Sequence, residues 1–194
     1  LKSVRNKLDN NNKSIDILVV DSFNKESIDN MCKDSAVVVS TVGPYSIYGE
    51  YLIESCVKFG THYLDLTGEP EFVKKVEEKF SKNSISSGSI ILNCCGFESI
   101  PADIGTYLAF KTLNAKNFKV ENYLLTRGKI SGGTWASFLN SISSTSSPSR
   151  GYTQSRHKKT KKIFFSNSFK KWGLLFPVVD REIVRRTGRF FNYG

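Results

Sequence analysis

The chain lacks any apolar run of the about 18 residues that a membrane-spanning helix needs. Its longest late run, Leu174-Leu175-Phe176-Pro177-Val178-Val179, is short and broken by proline. Its first residues are charged and helical in pattern, with no signal peptide among them. It has only two histidines, His62 and His157, and neither has companions at ligand spacing. Its four cysteines, Cys32, Cys56, Cys94 and Cys95, show no metal-type spacing and lie in apolar segments, so reduced, buried thiols in an intracellular protein are expected and a metal centre is not. A Ser-His-Asp arrangement cannot be assembled. Nowhere does a glycine-rich turn of the G-x-G-x-x-G kind occur.

What is present is a pattern of strands and helices. Apolar content of 39% is low, but aromatics at 12% can still fill a core. Ile15–Val20 reads as a buried strand, Ser22–Lys33 as a helix, and Ala36–Ser40 as the next strand. Tyr48–Phe59 is helical with Gly60 as its stop, and Thr61–Leu64 is a short strand. Glu69–Asn83 is the clearest helix, with Pro70 at its start and Phe72, Val73, Val76 and Phe80 as its stripe. Ser89–Asn93 is a strand and Pro101–Leu113 a helix. Strands alternating with helices predict an α/β fold with a parallel sheet. After Leu113 the pattern changes to a strand over Lys119–Thr126, a helix over Ala136–Ile142 and a Ser-rich loop over Ser143–Ser149. The boundary therefore falls near Leu113–Val120, giving units of residues 1–114 and 115–194. The sequence opens on Leu1 inside a helix-like stretch and stops at Gly194 without an evident closing element, which reads as a piece of a longer protein.

Charge is uneven. Residues 151–194 hold 11 Lys/Arg and 2 Asp/Glu, whereas the preceding 150 hold 17 and 16. The tail is basic and points to a surface that meets anions. Residues 156–172 mix this charge with Phe164, Phe165, Phe169 and Trp172. That mixture suits an anionic membrane surface or a solvated loop; nucleic acid is the least favoured partner.

Three polar loops follow three successive strand-like runs: Thr41–Tyr45, Asp65–Pro70 and Cys95–Asp103. In an open parallel sheet, ligands bind in the crevice outside the carboxyl ends of the strands. In the first loop Gly43 lets the backbone approach a ligand, Pro44 stiffens the turn, and Tyr45 is expected to stack on a ring and offer its hydroxyl. In the second, Asp65 is expected to point into the crevice, as a ribose ligand or as a general acid/base with a pKa raised by burial. Glu69 reads as a helix-start anion. In the third, Gly96, Phe97 and Ser99 are placed along the crevice, although Phe97 also suits a core and Ser99 a helix cap. Asp21 closes its strand and suits either a hydrogen bond to an adenine or ribose or a helix cap. Tyr107 and Lys111 match the Tyr-x-x-x-Lys pair of short-chain dehydrogenases, but without the Ser partner the match reads as chance.

Val42-Gly43-Pro44-Tyr45 with Tyr48-Gly49-Glu50, then Tyr63-Leu64-Asp65-Leu66-Thr67-Gly68-Glu69-Pro70, then Gly96-Phe97-Glu98-Ser99-Ile100-Pro101-Ala102-Asp103-Ile104-Gly105 resemble the saccharopine dehydrogenase-like oxidoreductase family. Gly132-Gly133-Thr134-Trp135 and Val184-Arg185-Arg186-Thr187 resemble that family's second domain. The resemblance implies part of a Rossmann-type NAD(P)-binding domain, with its Gly-rich phosphate loop upstream, followed by the start of an α+β substrate domain. It implies NAD or NADP as cofactor, with Asp21, Val42, Gly43, Pro44, Tyr45, Gly68, Gly96, Phe97 and Ser99 lining the dinucleotide and Asp65 and Tyr45 as catalytic candidates. It also implies a small-molecule or lipid substrate, since animal members associate with membranes and lipid droplets and bacterial ones resemble enoyl reductases of lipid assembly. A homodimer is among the expected assemblies. The alternative is a non-catalytic protein that keeps the nucleotide or a lipid surface.

Overall fold

The computed structural model describes residues 1–8, 15–97, 99–113, 119–125, Gly132, Trp135, Leu139, 163–174 and 179–193. Two helices, α1 (Lys2–Leu8) and α2 (Lys25–Lys33), precede a sheet of three short strands, β1 (Val37–Ser40), β2 (His62–Asp65) and β3 (Ile91–Leu92). The strands pair in parallel, in the order in which they occur. Helix α3 (Tyr45–Phe59) crosses from β1 to β2, helix α4 (Pro70–Ser87) from β2 to β3, and helix α5 (Ser99–Leu113) follows β3. This is the α/β layout that the alternating pattern predicts. An antiparallel hairpin of β4 (Ile163–Ser166) and β5 (Lys171–Leu174) and a helix α6 (Asp180–Phe190) come later.

Local chemistry explains the boundaries. The Asn24 side chain accepts the Ser27 N–H at 3.1 Å and starts α2. Pro44, joined to Gly43 by a cis peptide bond, precedes α3. Gly60 ends α3 with φ of 72°, a left-handed conformation that costs glycine nothing. Pro70 occupies the first turn of α4, where no partner for its missing N–H is needed.

The register sets Val38 opposite Tyr63 and Tyr63 opposite Ile91, so all three share one sheet face. That face carries the core. Tyr63 is fully buried there with Ile28 and Cys32 of α2, Ile53 and Cys56 of α3, and Phe72 of α4. Each such large apolar side chain contributes about 1.5–3 kcal/mol on burial. Val37, Val39 and Leu92 point to the opposite face and remain about half exposed or more. The helices α2, α3 and α4 thus cover one face of the sheet.

Two expected strands are not formed. Ile15–Val20 runs without a ladder; Leu18 and Val19 are exposed and only Val20 packs against the core. Lys119–Leu125 also carries no strand, and Thr126 lies outside the described residues. A β-branched run favours an extended backbone, but a strand exists only through its partner. Gly132, Trp135 and Leu139 are helical, in keeping with a helix here, while the remainder of 126–162, including the Ser-rich loop and the basic residues 156–162, lies outside the described residues.

Helix α6 packs on α5. Ser99 donates to Asp180 Oδ1 at 2.6 Å, and Thr187 donates to Asp103 Oδ2 at 2.8 Å. Tyr107 lies against Phe191 and Tyr193, with ring centroids at 4.8 and 5.9 Å. Lys111 sits over the Tyr107 ring. Tyr107 is therefore a packing residue, and the dehydrogenase-like pair is accounted for by helix contacts.

Candidate functional site

Parallel pairing brings the C-terminal ends of β1, β2 and β3 to one edge of the sheet, so the three loops expected to share a crevice do leave from that edge. What holds them is a set of buried polar side chains.

Asp65 has no exposed surface. Its Oδ1 accepts the N–H groups of Thr67 (3.0 Å) and Cys94 (2.9 Å), and its Oδ2 accepts Tyr63 Oη (3.0 Å) and Asn93 Nδ2 (2.6 Å). Its own carbonyl accepts the Cys95 N–H at 2.7 Å. One residue thereby ties the second loop to the third. Burial pushes its carboxyl above the usual range, and the bonds from Thr67, Cys94, Asn93 and Tyr63 offset only part of that. Burial and the neighbouring Asp65 likewise raise the Tyr63 hydroxyl. The expected raised pKa is present; the expected exposure to the crevice is not. With all four bonds filled, Asp65 is a structural tie in this arrangement.

Tyr45 is also placed differently from expectation. It is the first residue of α3 and 6% exposed, so it does not stack on a ligand ring. Its hydroxyl donates to the Ser40 carbonyl (3.1 Å) and accepts the Leu66 N–H (3.3 Å), and its ring lies 6.0 Å from that of Phe72. The hydroxyl thus joins the first loop to the second.

Glu69 completes the set. It is 5% exposed, and its carboxylate accepts the N–H groups of Tyr45 (2.8 Å) and Ser46 (3.0 Å). The expected helix-start anion is there, but it caps α3, not the helix that it precedes. Thr67 Oγ1 accepts the Glu69 N–H at 3.2 Å. Nothing in the sequence signals the side-chain bonds that join one loop to another, because those of Glu69, Tyr45 and Asp65 span 21–29 positions.

The surface left over is apolar and peptide-like. Val42, Leu66 and Phe97 are exposed, Gly43 and Pro44 are half-buried, and a Cβ added at Gly68 would meet open space. Gly96 is buried and its carbonyl accepts the Ile100 N–H. Ser99 is buried and spent on Asp180, so it does not line the crevice. Asp21 is exposed, and its Oδ1 accepts the Phe23 N–H at 2.9 Å, the turn-forming role weighed from sequence. Exposed backbone with Val42, Leu66 and Phe97 offers uncharged contact to a flat ring. At the N-terminus of α3, the Glu69 carboxylate already takes the place that a phosphate would. Among the described residues no three His, Cys, Asp or Glu side chains gather to hold a metal ion. His62 Nδ1 accepts the Ile90 N–H, as a strand residue.

Comparison with known proteins agrees with this layout. Residues 1–87 match the saccharopine dehydrogenase NADP binding domain. A human saccharopine dehydrogenase-like oxidoreductase is 30% identical over 191 residues, which cover 91% of this chain and 44% of that protein. A saccharopine dehydrogenase-like oxidoreductase of Arabidopsis thaliana, named as mitochondrial, is 28% identical over 191 residues, 90% of this chain and 42% of the relative. A lipid droplet localized protein of Caenorhabditis elegans is 27% identical over 172 residues, 86% and 40% of the two chains. The chain thus spans less than half the length of these relatives. No solved structure matches. By its matched domain and these relatives, the chain is similar to the saccharopine dehydrogenase-like oxidoreductases, and residues 1–87 carry the likeness to an NADP binding domain.

Proposed function

We propose that this chain supplies the nicotinamide-side wall of an NAD(P)-dependent oxidoreductase that acts in lipid-related metabolism. Residues 1–114 belong to the dinucleotide-binding unit and residues 115–194 begin the substrate unit. The cofactor, once bound, carries the hydride; the chain positions it and shields it from water. Val42, Gly43, Pro44, Gly68 and Phe97 face the nicotinamide and its ribose, and Asp21 meets the adenine side. Asp65, Tyr45, Gly96 and Ser99 act behind that surface by holding its loops. The observation that carries this reading is the set of three strand-end loops fastened to one another from behind, with Val42, Leu66 and Phe97 left exposed.

The test is a fluorescence titration of NADPH and NADH against the protein and its Val42→Asp and Phe97→Asp variants. An affinity at least about tenfold weaker in the variants, at unchanged melting temperature, supports the assignment. Equal affinity in all three overturns it.

A second reading, a non-catalytic lipid-surface protein, is favoured by the hairpin. Register puts Ile163, Phe165, Trp172 and Leu174 on one face, and all four are exposed. The relative named for lipid droplets supports the same idea. No helix among the described residues is long and apolar enough to cross a membrane. Vesicles of anionic phospholipid should retain the protein and release a Phe165→Glu/Trp172→Glu variant; equal partitioning removes this reading.

A further inference from the structure

Two thiols in the core take no part in the crevice. Cys32, near the end of α2, and Cys56, in the last turn of α3, are both fully buried, with their sulfurs 3.7 Å apart. A disulfide needs about 2.05 Å, so two side chains share a closing of about 1.7 Å. The remaining thiols, Cys94 and Cys95, lie in the loop after β3. Should one core thiol ionise, it is Cys32: the Cys56 S–H beside it holds it below its ordinary range, while that same contact and then burial push Cys56 up.

We propose that Cys32 and Cys56 form a redox-sensitive pair, closed to a disulfide by a hydroperoxide. The Cys32 thiolate attacks the peroxide, the oxygen–oxygen bond breaks, and water (or an alcohol) leaves with Cys32 as a sulfenic acid. Cys56 then attacks the Cys32 sulfur and the second oxygen leaves as water. Two thiols lose one hydrogen each, and one peroxide is reduced.

The position of the pair gives the bond a consequence. Helix α2 follows Asp21, and α3 follows Gly43 and Pro44. Beyond the apolar core that the two helices share, their polar ties are partly exposed: Asp29 with Ser55 and Lys58, and Lys25 with Glu54. A disulfide adds a covalent tie between the two elements that carry two parts of the crevice. Because neither sulfur is exposed, oxidation waits on a local parting of α2 from α3, and its rate reports that motion.

The test treats the 194-residue chain with hydrogen peroxide, with and without mild urea, followed by intact mass and a non-reducing peptide map. The expected result is a monomer lighter by two hydrogen atoms and a peptide joining Cys32 to Cys56. The link should form faster in mild urea, raise the melting temperature by several degrees and disappear with dithiothreitol. The Cys94→Ser/Cys95→Ser variant should still form it, and Cys56→Ser should instead accumulate a stable oxidised Cys32 with no rise in melting temperature. A link to Cys94 or Cys95, only singly oxidised cysteines in the wild type, or a cross-linked chain that melts no higher would overturn the proposal.

Discussion

The carboxylate of Glu69 closes the N-terminus of α3, accepting the backbone N–H of Tyr45 at 2.8 Å and that of Ser46 at 3.0 Å. The residue sits in the loop after β2, so the first turn of one crossover helix is finished from the next loop along the sheet edge. A helix start otherwise leaves several N–H groups without partners and carries partial positive charge.

Glu69→Ala is therefore expected to lower stability by about 1–2 kcal/mol, the usual size of a lost helix cap. Glu69→Gln keeps one acceptor oxygen and should lose less. Urea unfolding followed by circular dichroism measures both. Losses equal to those of an exposed glutamate such as Glu71 would show that the cap is not holding α3.

Asp65 makes stability depend on pH in a direction opposite to most carboxylates. Burial raises its pKa in the folded protein, so the folded state binds its proton more tightly than the unfolded state. Its contribution is fully present below the ordinary Asp value of 3.8 and is lost as pH rises through the raised value. Asp29, held down by its bond from Lys58, and Glu50, held down by Lys75, act the other way and are lost as pH falls. Asp65→Asn removes the first trend only. Melting temperature measured from acid to neutral pH should rise more steeply in Asp65→Asn than in the wild type; parallel curves would sink the assignment.

Gly49 of α3 lies directly against the Phe72 ring of α4. A Cβ there would stand 2.6 Å from Phe72 Cζ, and the Phe72 ring is buried and has little room to withdraw. Gly49→Ala should cost about 1–3 kcal/mol despite alanine's better helix propensity. Phe72→Leu in the same chain should recover part of it, visible as a non-additive double-mutant cycle in urea unfolding.

Much of the helical pattern was legible in the sequence because Asn24, Pro70 and Gly60 act on neighbours a few residues away, whereas α4 runs past its expected end at Asn83 to Ser87, where Gly88 stops it. Strands were legible only where a partner follows at the next repeat. Val37–Ser40 finds His62–Asp65, whereas the equally β-branched Ile15–Val20 finds nothing among the described residues. The hairpin of β4 and β5 and helix α6 went unread, since Asn167–Lys170 is not a common turn sequence and the Phe-rich strand abuts a run of lysines. In the strand-end loops, the hydrogen-bond partners of the singled-out side chains were not legible. Tyr45 and Asp65 look like ligand-facing chemistry from the sequence, because a hydroxyl or carboxylate after a strand gives no hint whether it turns outward to solvent or back to a peptide group. Asn93, which meets Asp65 across 28 residues, was invisible for the same reason.

The fastening of the three loops has a further consequence. Tyr45, Asp65 and Glu69 hold the peptide groups of the sheet edge from inside, while Val42, Leu66 and Phe97 stand on the outside and bear none of that duty. A ligand arriving there would meet a wall already set, with little chain entropy left to lose. The outer side chains can also be exchanged without loosening what stands behind them, so selectivity at this edge is separable from stability and open to change one residue at a time.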